Sequence, residues 1–145
     1  MYRTLLIGIL MIIGVNVAAY LSKLHSPNRD DERFKEVEQL FRAIPVYPGS
    51  EEVTTSSSSK DRIARLGKVY KSNASYDELK RFYTDSLTRL GWQLERERQV
   101  KDWWSDFGGR ELRFRDGEYY ISIEYAGEKA NNGWNYGISV GWHAS

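Results

Sequence analysis

Residues 110–125 read Arg110-Glu111-Leu112-Arg113-Phe114-Arg115-Asp116-Gly117-Glu118-Tyr119-Tyr120-Ile121-Ser122-Ile123-Glu124-Tyr125. An Asp-Gly pair between alternating apolar residues is the strongest short-range signal for a β-hairpin. Taking Asp116-Gly117 as a two-residue turn pairs Arg115 with Glu118, Phe114 with Tyr119, Arg113 with Tyr120 and Leu112 with Ile121. Apolar residues then meet on one face, and the other face gains an ion pair and an Arg–Tyr stack. A hairpin with one apolar face needs a second layer to cover it.

The covering layer lies upstream. Ser75 and Glu78 form a capping-box pattern. The helix it opens carries Leu79, Phe82, Tyr83, Leu87 and Leu90 as an apolar stripe, and Gly91 supplies the left-handed residue that ends it. Downstream, the run from Trp134 to His143 alternates Trp134, Tyr136, Ile138, Val140 and Trp142 with Asn135, Gly137, Ser139, Gly141 and His143, the pattern of a strand. Further strands read over residues 52–58, 63–72 and 92–100, the first of them an edge strand rich in Thr and Ser. The fold class is therefore α+β: a mostly antiparallel sheet of about five to six strands, in the order β-β-α-β-β-β-β, with one main helix on its apolar face. The expected core is Leu79, Phe82, Tyr83 and Leu87 against Leu112, Phe114, Tyr119, Ile121, Ile123, Ile138 and Val140.

Before this domain, residues 31–43 place Phe34, Val37 and Phe41, with Ile44 beyond, on one face of an amphipathic helix that Pro45 ends. Before that again, residues 4–22 carry no charge and make about 28 Å of helix, close to the thickness of a bilayer's hydrocarbon core. Arg3 and Lys23 flank the run, with Tyr2 and Tyr20 where interfacial aromatics belong. The preferred reading is a retained single-pass transmembrane anchor with its N-terminus inside. The alternative is a secretory signal peptide cleaved after the small residues Val17 and Ala19. Both readings export the domain. The organisation expected is an anchor over 1–24, a linker and amphipathic helix over 25–44, and an extracytoplasmic α+β domain over 45–145. Within the anchor, Gly14 and Ala18 share a face that admits a neighbouring helix, and Asn16 prefers a polar partner to lipid.

Composition narrows the function. The net charge of +1 gives no support for a nucleic-acid binder. With no cysteine there is no disulfide, no thiolate zinc site, no Cys nucleophile and no lipid-bearing N-terminal Cys. The two histidines, His25 and His143, lie far apart in sequence, and no phosphate loop, nucleophile elbow or HExxH motif is present. Acidic pairs such as Asp30/Asp31 and Asp102/Asp106 read as helix-dipole complement and solvated loop. No cofactor, metal site or catalytic residue is expected.

Pro45-Val46-Tyr47-Pro48-Gly49-Ser50, Phe82-Tyr83, and Leu87 followed by Gly91-Trp92 resemble a pattern of small bacterial exported domains: a "P-x-YPG-A/S" opening, a helix containing "FY", then "L-x-x-x-GW" and antiparallel strands. The resemblance covers about residues 44–125. It implies a small exported domain anchored by a lipid or one membrane helix, and it carries no catalytic residue.

Two features point to a partner. Trp103, Trp104 and Phe107 crowd one loop between strands, and clustered aromatics mark binding or membrane-interface surfaces. Gly137, Ser139 and Gly141 leave one strand face bare enough for another backbone or a ligand to come close. The expected function is a non-enzymatic single-span accessory subunit of a larger membrane protein complex. Respiratory and photosynthetic assemblies hold subunits of this kind, and the sequence selects neither. The partners implied are the bilayer and integral membrane proteins. The alternative is a free-standing membrane-anchored binding domain for a peptide, glycan or lipid.

Overall fold

The computed structural model describes residues 29–60, 63–101 and 105–143. The expected membrane anchor, with Gly14, Asn16 and Ala18, lies outside the described residues. Among those described, no helix is long and apolar enough to cross a membrane.

The elements run α1 (Arg29–Ala43), β1 (Glu51–Lys60), β2 (Ile63–Lys71), α2 (Tyr76–Arg89), β3 (Gln93–Val100), β4 (Gly109–Asp116), β5 (Tyr119–Tyr125) and β6 (Tyr136–His143). The six strands form one sheet in the order β1-β2-β6-β5-β4-β3, antiparallel at every step. After β2 the chain crosses through α2 to the far edge, then returns by β3, β4 and β5 so that β6 closes beside β2. The fold is thus α+β, and two helices cover the sheet where one main helix was expected. α1 lies over β1, β2 and β6, and α2 over β3 and β4. Val37, Phe41 and Ile44 of the first helix segment enter the same core as Leu79, Tyr83 and Leu87.

The central hairpin departs from its expected register. Asp116 pairs with Tyr119, Arg115 with Tyr120, Phe114 with Ile121 and Leu112 with Ile123. The two-residue turn is therefore Gly117-Glu118, with Gly117 at φ 54° supplying the left-handed conformation. Each residue's partner moves by two, so the division into apolar and polar faces survives. The Arg115–Glu118 ion pair does not form. Arg115 instead donates to Glu95 at 2.7 Å, and Glu118 meets Arg33 at 3.2 Å. The Arg113–Tyr120 stack is present across the diagonal, the guanidinium carbon 4.1 Å from the ring centre.

Local sequence rules explain how α2 begins and ends. Ser75 N–H donates to Glu78 at 2.8 Å, and Glu78 N–H donates back to the Ser75 hydroxyl. At the other end, Trp92 N–H reaches Leu87 O and Gly91 N–H reaches Thr88 O, both at 3.0 Å, with Gly91 at φ 93°. These are the two bonds of a Schellman ending, accompanied by burial of both Leu87 and Trp92. Leu90, expected in the apolar stripe, is the cap residue and stands 50 % exposed.

A tyrosine cluster joins α2 to the rest. Tyr83 has no exposed surface, accepts from Tyr47 N–H at 3.2 Å and donates to Tyr136 at 3.4 Å. Tyr136 in turn donates a hydrogen bond to the Ser50 hydroxyl at 2.8 Å and stacks on Tyr70. Tyr47 also meets Phe82 edge-on at 5.3 Å. Burial raises the Tyr83 phenol well above its usual value, with the Tyr136 bond adding to it, so it stays a donor throughout the working pH range. Tyr83→Phe keeps the packing and removes both bonds. The expected loss is about 1–2 kcal/mol in chemical denaturation, against about 2–5 kcal/mol for Leu87→Ala, which opens a cavity at a fully buried site.

Candidate binding surface

Alternation along β4 sends Leu112 and Phe114 into the core and Glu111, Arg113 and Arg115 to the face away from the helices. No element of the described chain covers that face. The strand register places Arg96, Arg98, Tyr120, Ser122 and Glu124 beside those β4 residues, and Glu95, at a bulge in β3, reaches the same face through Arg113 and Arg115. Farther across lie Gly137, Ser139 and Gly141 of β6 and Arg65 and Gly67 of β2.

Glu111 anchors the charged half. It is 3 % exposed, accepts from the Ser122 hydroxyl at 2.6 Å, is bonded by Arg98, and has Arg96 at 3.7 Å. Burial works to raise its pKa, but the Ser122 and Arg98 bonds, helped by the Arg98 and Arg96 charges, outweigh this and hold it below the usual glutamate value. Next to it, Glu95 faces Arg115 and, at 3.7 Å, Arg113 Nε. That Nε is buried and has no hydrogen-bond partner among the described residues. Its guanidinium is held by the Tyr120 ring instead.

The other half is a floor of small residues. Arg65 donates to Ser139 at 3.3 Å, and Gly67 sits against Ser139 and Ser56. A hollow of about 70 Å3 lies between Ser122, Glu124, Gly137 and Ser139, enough for water. The expectation that Gly141 leaves room for a partner needs correction. A Cβ at Gly141 would collide with the Tyr120 ring, so its bareness already serves an internal contact. Gly137 and Ser139 remain as floor, both buried.

Of the aromatic loop, Trp103 and Trp104 lie outside the described residues. Phe107 is half-buried beside a cleft of about 260 Å3 with Trp134 and Tyr125, and its carbonyl accepts from Lys129 N–H at 3.2 Å. That cleft is at the end of the sheet where β5 finishes and β6 begins. It shares Glu124 with the hollow over the floor, but neither Gly137 nor Ser139 lines it.

A further hollow, which the sequence did not suggest, lies on the helix side between α1 and the start of β5. It measures about 470 Å3, with Leu40, Ala43 and Trp92 as apolar lining and Arg33, Glu36 and Tyr119 at its rim. Arg33 donates to Tyr119 at 2.7 Å and to Glu36 at 2.9 Å, and its guanidinium carbon is 5.2 Å from the Trp142 ring centre. Glu36 and Tyr119 are also bonded to each other. The pairing of an α1 residue with the turn of a distant hairpin has no local signature, and only the crossing of the chain reveals it. Among the described residues no group of three His, Cys, Asp or Glu is placed to hold a metal ion.

Two outcomes follow from this geometry. Glu111→Gln is expected to cost about 1–3 kcal/mol at neutral pH, because two arginines lose a buried anion. In the parent, the Glu111 contribution is complete above about pH 4.5 and is lost as the pH falls through its lowered folded value, so denaturation curves of the two proteins converge in acid. Gly141→Ala is expected to cost about 1 kcal/mol by lifting Tyr120 off Arg113, and nothing in a Tyr120→Ala background. A double-mutant cycle measures that coupling.

No family model, no curated protein and no solved structure matches this chain, and what the surface does has to follow from its own geometry and charge.

Proposed function

We propose that this chain is a non-enzymatic accessory subunit of a larger membrane protein complex. Residues 4–22 hold it in the cell membrane as a single-pass segment, and the α+β domain lies on the extracytoplasmic side. The observation that carries this reading is the one-sided sheet. Both helices bury one face, while the other presents a small-residue floor bordered by arginines already held in place by Glu111, Glu95 and Tyr120. Arginines fixed in advance lose little further freedom on docking and are enriched at protein interfaces. Glu111 and Glu95 are tied to Arg96, Arg98, Arg113 and Arg115 on this face, which suits a surface for docking more than one for turnover. The resemblance of residues 44–125 to exported domains supports the extracytoplasmic placement.

A second reading, a free-standing membrane-anchored binding domain, draws on the helix-side hollow. Its apolar lining and ionic rim fit a small amphipathic ligand.

Gentle detergent extraction of the native membrane, with native-gel sizing and mass spectrometry, separates the two. A subunit co-migrates with a large assembly through its anchor and is released by Gly14→Leu or Asn16→Leu, with the domain still folded. Glu124→Arg, at a half-exposed position beside the floor, is expected to weaken co-migration while changing stability by less than about 0.5 kcal/mol. Migration of the parent at the size of the single chain overturns the subunit reading in favour of the second.

A further inference from the structure

We infer that the domain stands on the bilayer by one particular end, with Ile63, Leu90 and Leu94 resting on the phospholipid surface and the open sheet face turned sideways along the membrane. This rests on the reading of residues 4–22 as a membrane anchor.

The geometry starts from α1. Arg33, in its second turn, contacts Tyr119, Glu118 and Trp142. Tyr119 begins β5 and pairs with Trp142 near the finish of β6, and His143 beside it pairs with Ile63 at the start of β2. Asp116 at the close of β4 pairs with Tyr119, and Arg115 with Gln93 at the start of β3. The first turns of α1, the β4–β5 turn, the starts of β2 and β3 and the finish of β6 therefore share one end of the molecule. From there α1 runs along the sheet, passing Lys68 at Phe41, until Tyr47 and Ser50 reach Tyr83 and Tyr136 near the other end.

In sequence, only residues 23–28 separate the uncharged run from α1, a span of at most about 20 Å even when extended. The shortest strand beside α1, the eight-residue β6, is about 26 Å long. A tether shorter than the sheet, attached at one end of it, brings that end to the membrane first.

The same end carries the apolar residues for such a contact. The exposed large apolar side chains among the described residues are Val46, Val53, Ile63, Leu90 and Leu94, and the Ile and both Leu are at this end. Leu90 caps α2 and Leu94 starts β3, whereas Ile63 lies across the sheet on β2. Contacts spread over the width of the end resist rocking where a single residue would not. In this stance the strands stand upright, and the loop of Phe107 and the 126–135 loop are held away from the anchoring leaflet.

The absence of cysteine makes the test direct, since one introduced Cys is the only thiol. The full chain, reconstituted in phosphatidylcholine vesicles, is labelled with an environment-sensitive fluorophore at Ile63→Cys, Leu90→Cys or Leu94→Cys. Asn132→Cys, exposed in the 126–135 loop, serves for comparison. Headgroup-nitroxide lipid is expected to quench the first three at least twofold more than the fourth. Three near-end sites guard against one variant misfolding. A chain retained by the vesicles with equal quenching at all sites, or stronger quenching at Asn132→Cys, overturns the orientation and leaves the anchor standing. A chain that floats free of the vesicles overturns the anchor and the orientation with it.

Discussion

The fold hangs on a phenol with no access to water. Tyr83 receives the backbone of the segment leaving α1, gives its proton to β6, and packs its ring among Phe82, Tyr136 and Leu87. A buried hydroxyl without partners would be costly, so these bonds set where each neighbour must stand. The Pro45–Ser50 segment and the Phe82-Tyr83 pair, which catch the eye in sequence as one pattern, are two halves of one contact. Tyr47 lies on Phe82 and is bonded through its N–H to Tyr83, while Ser50 accepts from Tyr136. The third part of the pattern, Leu87 with Gly91-Trp92, is the helix ending that turns the chain into β3. Tyr47, Ser50, Phe82, Tyr83, Leu87 and Trp92 each have a packing or bonding role here, so these residues speak to fold.

How much of this was legible beforehand depended on range. Rules acting over a few residues were readable: the Ser75–Glu78 cap, the Gly91 ending, and the alternation that divides β4 and β5 into faces. The hairpin register slipped because Asp116-Gly117 and Gly117-Glu118 both place a glycine in the turn, and Gly117 satisfies the positive φ in either. The Arg115–Glu118 pair that favoured the first choice is weak at a surface, and both residues find other partners. Contacts across long stretches of chain were not readable. Nothing near Arg33 announces Tyr119, and nothing in the polar strand 93–100 announces that Arg98 meets a buried Glu111. The floor was half legible: Gly137, Ser139 and Gly141 share a face as read, yet the ring that fills the space over Gly141 belongs to another strand.

The two faces of the sheet answer different constraints. On the helix face, volume decides, and residues such as Phe114, Ile121 and Val140 are buried because two helices must be seated. On the other face no described element is seated, yet Glu111 is as buried as the core. The Ser122 hydroxyl with Arg98 and Arg96 keeps it charged there, in a setting where an isolated carboxylate would take up a proton. A buried pair of this kind adds little net stability compared with apolar packing, but breaking it is expensive. Such a network fixes side-chain positions more than it strengthens the fold, and fixed arginines are what a docking partner can read.

Arg33 fixes the start of α1 on this architecture. α1 would be free to swing if only its apolar face held it, since Phe34, Val37 and Phe41 permit sliding along the sheet. Arg33 removes that freedom by being bound on several sides: a carboxylate on its own helix, a carboxylate and a phenol at the turn of the hairpin, and an indole on β6. Burial, and then its bond to Glu36, raises the Tyr119 phenol above its usual value, so the hydroxyl stays protonated and the cluster keeps its pattern of donors and acceptors. The partners come from α1 and from two strands that are neighbours at the middle of the sheet. Any displacement of the first turns of α1 is therefore passed to the sheet's centre, which carries the open face with it.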